Sequence, residues 1–186
     1  MSAENEGSEL HRQFEVLVCT GASSFRGTLT CDFSQRLVDA LNEGMRTETS
    51  AKVIGFLPLV NVTMTGTRCE EQKFPHIYIA KNNIVFAAQV SDDRSQKQLR
   101  TYPFREKLPV AVTVHTARVS DVQYKLDGRM YVDSGGQVID TIESEVRFIP
   151  MTHVEIEPPP PGAGSRYHFI ALNKEHIISI CESAGR

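Results

Sequence analysis

The chain has 186 residues, 40% of them hydrophobic and 23% charged, with a formal net charge of −3; these are globular values, enough for one sizeable domain or two small ones. No apolar run approaches the roughly 20 residues that span a bilayer as a helix, and Met1 to Arg12, with three acids and no apolar core, reads as a disordered lead-in and not as a secretory or transit signal. The four cysteines (Cys19, Cys31, Cys69, Cys181) have no C-x-x-C pair and no metal-ligand spacing, so reduced thiols, no metal and a cytoplasmic setting are expected.

Phe14-Glu15-Val16-Leu17-Val18 alternates and then turns apolar, predicting a first strand. Thr20-Gly21-Ala22-Ser23 superficially matches a dinucleotide loop, but Phe25-Arg26-Gly27-Thr28-Leu29 reads as a second strand where a helix would be needed. A hairpin turn is the better reading. Ser34 is placed to cap a helix over 35–43 that sets Leu37, Val38 and Leu41 on one face. A polar loop follows near Met45 to Val53. Phe56-Leu57-Pro58-Leu59 then leads into a strand over Val60 to Met64, with the proline confined to a strand start or an edge. A closing hairpin, Ile77–Ala80 and Ile84–Ala88, is turned by Asn82-Asn83.

A similar series then runs again. Val110-Ala111-Val112-Thr113-Val114 alternates cleanly, and Val122 to Leu126 predicts its partner strand. Asp127-Gly128 is a strong turn signal before re-entry into strand at Met130-Tyr131-Val132. Gln137 to Ile142, β-branched and preceded by Gly135-Gly136, admits a strand or a helical turn, and the extended form is expected. Phe148-Ile149-Pro150-Met151 repeats the earlier Phe-Leu-Pro-Leu string, followed by a strand over Thr152 to Ile156. Pro158 to Pro161 favours a polyproline excursion, and Gly162-Ala163-Gly164-Ser165-Arg166 lacks the spacing and lysine of a phosphate loop. The final hairpin, Tyr167–Leu172 and His176–Cys181, is turned by Asn173-Lys174-Glu175, a longer turn than the first copy's.

Collinear strings in one order indicate a unit used twice. The expected organisation is a lead-in (1–12), a first β-rich repeat (13–93), a basic connector (94–107) and a second repeat (108–183). The expected fold is mainly β with minor α: two tandem-duplicated small β-barrel or curled-sheet domains packed as a pseudo-dimer, each closing on itself to remove its edges.

Residues 13–93 carry 7 basic and 9 acidic side chains and residues 108–186 carry 7 and 10, whereas residues 94–107 carry 5 basic and one acidic. Neither repeat has the basic footprint of a dedicated nucleic-acid binder. The connector interleaves Tyr102 and Phe104 with Arg100 and Arg105, a combination suited to an acidic partner or to stacking on bases. These four are the candidate binding residues. Of the histidines, His76, His115, His153, His168 and His176 show no i, i+2 or i, i+4 pair for a metal, and His115 with His153 is the pair an active site between the halves would use. Asp39 and Asp140 occupy matching places and suit a cap or turn; Asn82 and Asn173 suit turn geometry.

The string Arg36-Leu37-Val38-Asp39-Ala40-Leu41-Asn42, then Phe56-Leu57-Pro58-Leu59 and a closing Ile84-Val85, resembles an uncharacterised family of small bacterial β-domains of the form R-L-x-D-x-L-N, then F-[FL]-P-L, then a terminal strand pair. The likeness covers most of residues 14–88 and weakens over 110–181, where Gln137 and Glu143 replace the Arg and Asn. It implies domain boundaries and no activity. The strand order is also loosely similar to Sm-like RNA-binding barrels, without their signatures. A PilZ-like reading needs an R-x-x-x-R linker, and Arg100 and Arg105 are one residue too far apart. The expected function is therefore a non-enzymatic interaction or regulatory adaptor, without cofactor or membrane insertion. It would bind a protein partner through sheet edges or the basic connector, and a homodimer is compatible. The alternative is an RNA- or nucleotide-binding small barrel.

Overall fold

The computed structural model describes residues 11–32, 35–46, 52–67, 70–90, 107–119 and 121–182. The fold is mainly β. In the N-terminal half the strands are β1 (His11–Cys19), β2 (Ser23–Asp32), β3 (Met45–Arg46), β4 (Lys52–Val53), β5 (Phe56–Gly66), β6 (Gln72–Ala80) and β7 (Phe86–Gln89), with a helix α1 (Leu37–Glu43) after β2. In the C-terminal half they are β8 (Lys107–Thr116), β9 (Lys125–Asp133), β10 (Phe148–Glu157), β11 (Arg166–Asn173) and β12 (Ile177–Glu182), with α2 (Val138–Ile142) after β9. Strand β1 begins inside the expected lead-in, and Arg12 is buried there.

Ten strands form one antiparallel sheet in the order β12-β8-β9-β10-β11-β7-β1-β2-β5-β6, and β3 pairs separately with β4. The sheet does not close, which corrects the expectation of barrels that each remove their own edges. The reason is topological: β7, the last strand of the N-terminal half, pairs with β1 on one side and with β11 on the other. Both halves have the same internal order, with the last strand beside the first, then the second, third and fourth.

Each half carries a bulge at the same place. Asn61 in β5 and His153 in β10 both have φ of 52°, and each ladder slips there, against β2 and β9 respectively. The bulged strand bends at the extra residue, and the strand opposite must offer a residue without a side chain. At Gly27 an added Cβ would lie 2.9 Å from Val62 Cγ2 and 3.1 Å from the Val60 carbonyl; at Gly128 it would lie 3.0 Å from Val154 Cγ2 and 3.2 Å from the Thr152 carbonyl. This overturns the Asp127-Gly128 turn. Both residues lie inside β9, paired to Thr113 and Val112, and the glycine serves close approach instead of a hairpin.

Two further expectations change. Residues 138–142 are helical, not extended. Asp140 accepts the Gln137 backbone N–H at 2.7 Å, as Asp39 accepts that of Arg36 at 3.1 Å, and this carboxylate at the third helical position starts both helices despite the β-branched residues of the second. Ser34 lies outside the described residues, and Arg36 holds the N-cap position of α1. The two closing turns are equal in length, each a three-residue 3-10 turn, Lys81–Asn83 and Lys174–His176. Asn173 therefore precedes its turn and matches Ala80, and Glu175 matches Asn82.

Two apolar cores lie on opposite faces of the central strands. One gathers Phe14, Val16, Val18, Leu29, Leu37, Leu41, Leu57 and Leu59; the other gathers Val112, Val114, Leu126, Met130, Ile149, Met151 and Ile156. Alternation in β1 and β7 serves both. Val16, Val18 and Ala87 face the first core, while Leu17, Cys19, Phe86 and Ala88 face the second.

Candidate functional site

Arg100, Tyr102, Phe104 and Arg105 lie outside the described residues. The structure separates the suggested histidine pair. His115 on β8 places Nδ1 3.1 Å from Ser179 Oγ of β12, whereas His153 is on β10, two strands away. His153 instead meets His168 of β11 edge-on, with ring centroids 4.7 Å apart, and both are exposed. Spacing along one strand does not reveal this pair, because the regular antiparallel ladder of β10 with β11 sets His153 opposite a residue 15 positions away. Among the described residues no group of three His, Cys, Asp or Glu side chains is placed to hold a metal. Asp39 holds a capping role: burial works to raise its pKa, but the hydrogen bonds and charge of Arg36, with Arg36 Nε at 2.7 Å, hold it below the ordinary value.

The joint between the halves is built in detail. Ile170, Ala171 and Leu172 of β11 pair with Ala88, Ala87 and Phe86 of β7, and all six are buried. Phe86 packs edge-to-face on Tyr124 at 5.5 Å. The Tyr124 hydroxyl donates to the Gly21 carbonyl at 2.8 Å and accepts from Cys19 Sγ at 3.2 Å. Burial, then the Cys19 sulfur, pushes the Tyr124 pKa up, and burial also raises that of Cys19, so both protons stay in place. Buried Asn173 donates through Nδ2 to the Ile84 carbonyl at 2.9 Å, and its backbone N–H donates to Val85 O at 2.9 Å. Asn42 of α1 brackets Phe148, accepting from its N–H and donating to its carbonyl, both at 2.8 Å.

The two ends of the sheet have the complementary halves of this joint. At one end lies β6, the strand of the N-terminal half that matches β11. At the other lies β12, which matches β7. Among the described residues neither has a second strand partner. The start of β6 carries Lys73 and Pro75, residues that discourage strand addition, but Ile77-Tyr78-Ile79 is uncharged and apolar. Tyr78 is 66% exposed. On β12 the run Ile177-Ile178-Ser179-Ile180-Cys181 is also uncharged, and Ile178 is 62% exposed. A cavity of about 440 Å³ flanks the β6 end, lined by Ile77 to Ala80 with Phe25, Thr20 and Val119 among its walls.

Comparison with protein-family models, with curated proteins and with solved structures finds no match. No helix among the described residues is long and apolar enough to cross a membrane.

Proposed function

We propose that this chain is a non-enzymatic interaction or regulatory adaptor module of the cytoplasm that takes a protein partner by strand addition at its open sheet edges. On this reading the two halves are tandem duplicates, small curled β-units packed as a pseudo-dimer. The shared strand order, the matched bulges at Asn61 and His153, the glycines facing them and the matched capping aspartates Asp39 and Asp140 support that origin. A lysine repeats with them: Lys81 Nζ donates to the Leu41 carbonyl at the end of α1, and Lys174 Nζ donates to the Ser144 carbonyl just after α2. The likeness of Arg36 to Asn42 and Phe56 to Leu59 to small bacterial β-domains agrees with a unit of this size.

The observation that carries the proposal is the pair of apolar, uncharged stretches at Ile77–Ile79 and Ile177–Cys181, each paired on one side and without a second strand partner among the described residues. An open edge presents a row of backbone donors and acceptors, and folded proteins ordinarily protect such edges with charge, proline or a covering element. An extended segment laid on either edge gains main-chain hydrogen bonds from the ladder and side-chain contacts at Tyr78 or Ile178. His115 meets the Ser179 hydroxyl, His176 the Asn82 carbonyl, and His153 meets His168. On the same reading Arg100, Tyr102, Phe104 and Arg105 form a second, basic contact.

The test is affinity purification of the tagged chain with and without RNase, beside Tyr78→Asp and Ile178→Asp forms. Protein partners that survive RNase and are lost with either edge substitution support the module. Recovery of RNA alone, or loss of all partners with RNase, overturns it in favour of an RNA-binding role for the connector.

A further inference from the structure

We infer that the partner at these edges is a second copy of the same chain, added head to tail with β6 of one chain against β12 of the next. The inference rests on the edge-binding reading above and names its occupant. The warrant is the internal joint, which shows what this pair of strand types does when both are present. Aligning the halves by their ladders matches Ile170, Ala171 and Leu172 of β11 with Ile77, Tyr78 and Ile79 of β6. The same alignment matches Phe86, Ala87 and Ala88 of β7 with Ser179, Ile180 and Cys181 of β12. The internal register, with Ile170 opposite Ala88 and Leu172 opposite Phe86, then sets Ile77 opposite Cys181, Tyr78 opposite Ile180 and Ile79 opposite Ser179 across two chains.

Burial at the two places tells the same story. Tyr78 matches Ala171 and Ile178 matches Val85, and both of those internal residues are fully buried while the two edge residues are among the most exposed apolar side chains described. Strands buried on both faces read as continuous apolar runs, and strands with one wet face alternate. Ile77-Tyr78-Ile79 and Ile177-Ile178 are continuous, so their sequence suits a covered position that the described residues of the single chain do not provide. The edge obstacles agree as well. Lys73 and Pro75 sit where the internal joint makes no ladder pair, leaving open the three-residue stretch that the register uses. Side-chain bulk is redistributed, with Tyr78 and Ile180 large where Ala171 and Ala87 are small, and Ser179 small where Phe86 is large. Because the two edges differ, the contact is heterologous, and repeating it yields a closed ring or an open filament instead of a two-fold dimer.

The polarity gives a test by mixing, read by native mass spectrometry or light scattering from low to high micromolar protein. The unaltered chain is expected to form species of three or more copies of the 20.8 kDa unit. Tyr78→Asp disables one edge and Ile178→Asp the other. Both residues are exposed in the single chain, so each variant should fold, checked by circular dichroism, and each alone should be a monomer. Their mixture should give a one-to-one pair and nothing larger, since each contributes one intact edge. In a further variant, Ile77→Cys, oxidation should link position 77 of one chain to Cys181 of another, identified in the joined peptide by mass spectrometry. A monomer at every concentration, or a dimer that either single substitution leaves half-formed and mixing fails to restore, overturns the inference. If the monomeric chain still captures a different protein in a Tyr78-dependent way, only the identity of the partner is wrong and the edge-binding module stands.

Discussion

Replacing Asn173 with Ala removes the side chain that ties the end of β11 to the backbone entering β7. Asn173 is fully buried and donates through Nδ2 to the Ile84 carbonyl at 2.9 Å, with a longer contact of 3.4 Å to the Lys81 carbonyl. Its Oδ1 accepts the Glu175 N–H at 3.1 Å. Ile84 is itself fully buried, so its carbonyl has no water to turn to and stranding it costs about 1–3 kcal/mol; the bond to Glu175, near solvent, adds about 1. The sum is about 3 kcal/mol, roughly a 150-fold change in the unfolding equilibrium and a drop of about 6–12 °C in Tm for a chain of this length. Urea titration and calorimetry measure both. Asn173→Asp supplies a sharper check. A carboxylate has no proton for the Ile84 carbonyl, so at neutral pH this variant should be less stable than the Ala form. Protonation restores one donor, so burial raises the folded-state pKa of the new acid. The stability it recovers is fully present below the unfolded carboxylate value and lost as pH rises through the folded one. An Ala variant within 1 kcal/mol of the parent, or an Asp variant with no recovery in acid relative to Ala, would show that the joint does not depend on this contact.

The bulges predict a contrast among glycines: Gly27→Ala and Gly128→Ala should each cost about 1–3 kcal/mol in chemical denaturation, since the new methyl meets a carbonyl and a valine at 2.9–3.2 Å. Gly55→Ala and Gly164→Ala, with nothing within 4 Å, should stay within about 0.5 kcal/mol. Burial raises the Cys31 thiol to about 11, and Cys19 is buried and raised as well. Maleimide labelling with peptide mapping should therefore leave both unmodified in the native protein through pH 9 and modify them on unfolding; prompt native labelling of either would contradict the packing. Asp39, held low by Arg36 against the pull of burial, contributes stability that is present above the ordinary carboxylate range and lost as pH falls through its folded value. Arg36→Gln should move the Asp39 carboxyl titration upward in NMR, and an unchanged titration would place the cause elsewhere.

The elements whose cause is local were legible before the structure. Strand periodicity marked β1, β5, β6, β8, β10 and β11, and the Thr20 to Ser23 turn was separated from a nucleotide loop by the strand that follows it. Gly128 was misread because a glycine after an aspartate fits a hairpin turn and also a close backbone approach, and only the bulge at His153, on a strand 25 residues further on, decides between them. Residues 138–142 were misread because β-branched propensity is weak against a capping carboxylate at the third helical position; Gln137 and Asp140 stood at the right spacing, with Gln in place of the usual small N-cap residue. The histidine pair His153 and His168 depends on the register between β10 and β11, which spacings of i, i+2 or i, i+4 along one strand do not read.

The joint was legible too, in a form that periodicity alone does not interpret. Val16-Leu17-Val18-Cys19 abandons alternation halfway along β1, whereas the matching stretch of β8 alternates through Val110, Val112 and Val114. One strand of the matched pair is central and covered on both faces, and the other lies beside the end of the sheet with Ala111 exposed and Thr113 half-exposed. The same contrast separates Ile170-Ala171-Leu172, wholly buried, from its counterpart, but here the counterpart does not alternate. Ile77-Tyr78-Ile79 keeps the composition of a covered strand while ending a sheet. Within one chain that is an inconsistency between local pattern and position, and such inconsistencies tend to sit where function is carried. The pattern of β6 becomes consistent once its edge is paired, which is why the mixing experiment with Tyr78→Asp and Ile178→Asp tests the reading of the sequence as directly as it tests the assembly.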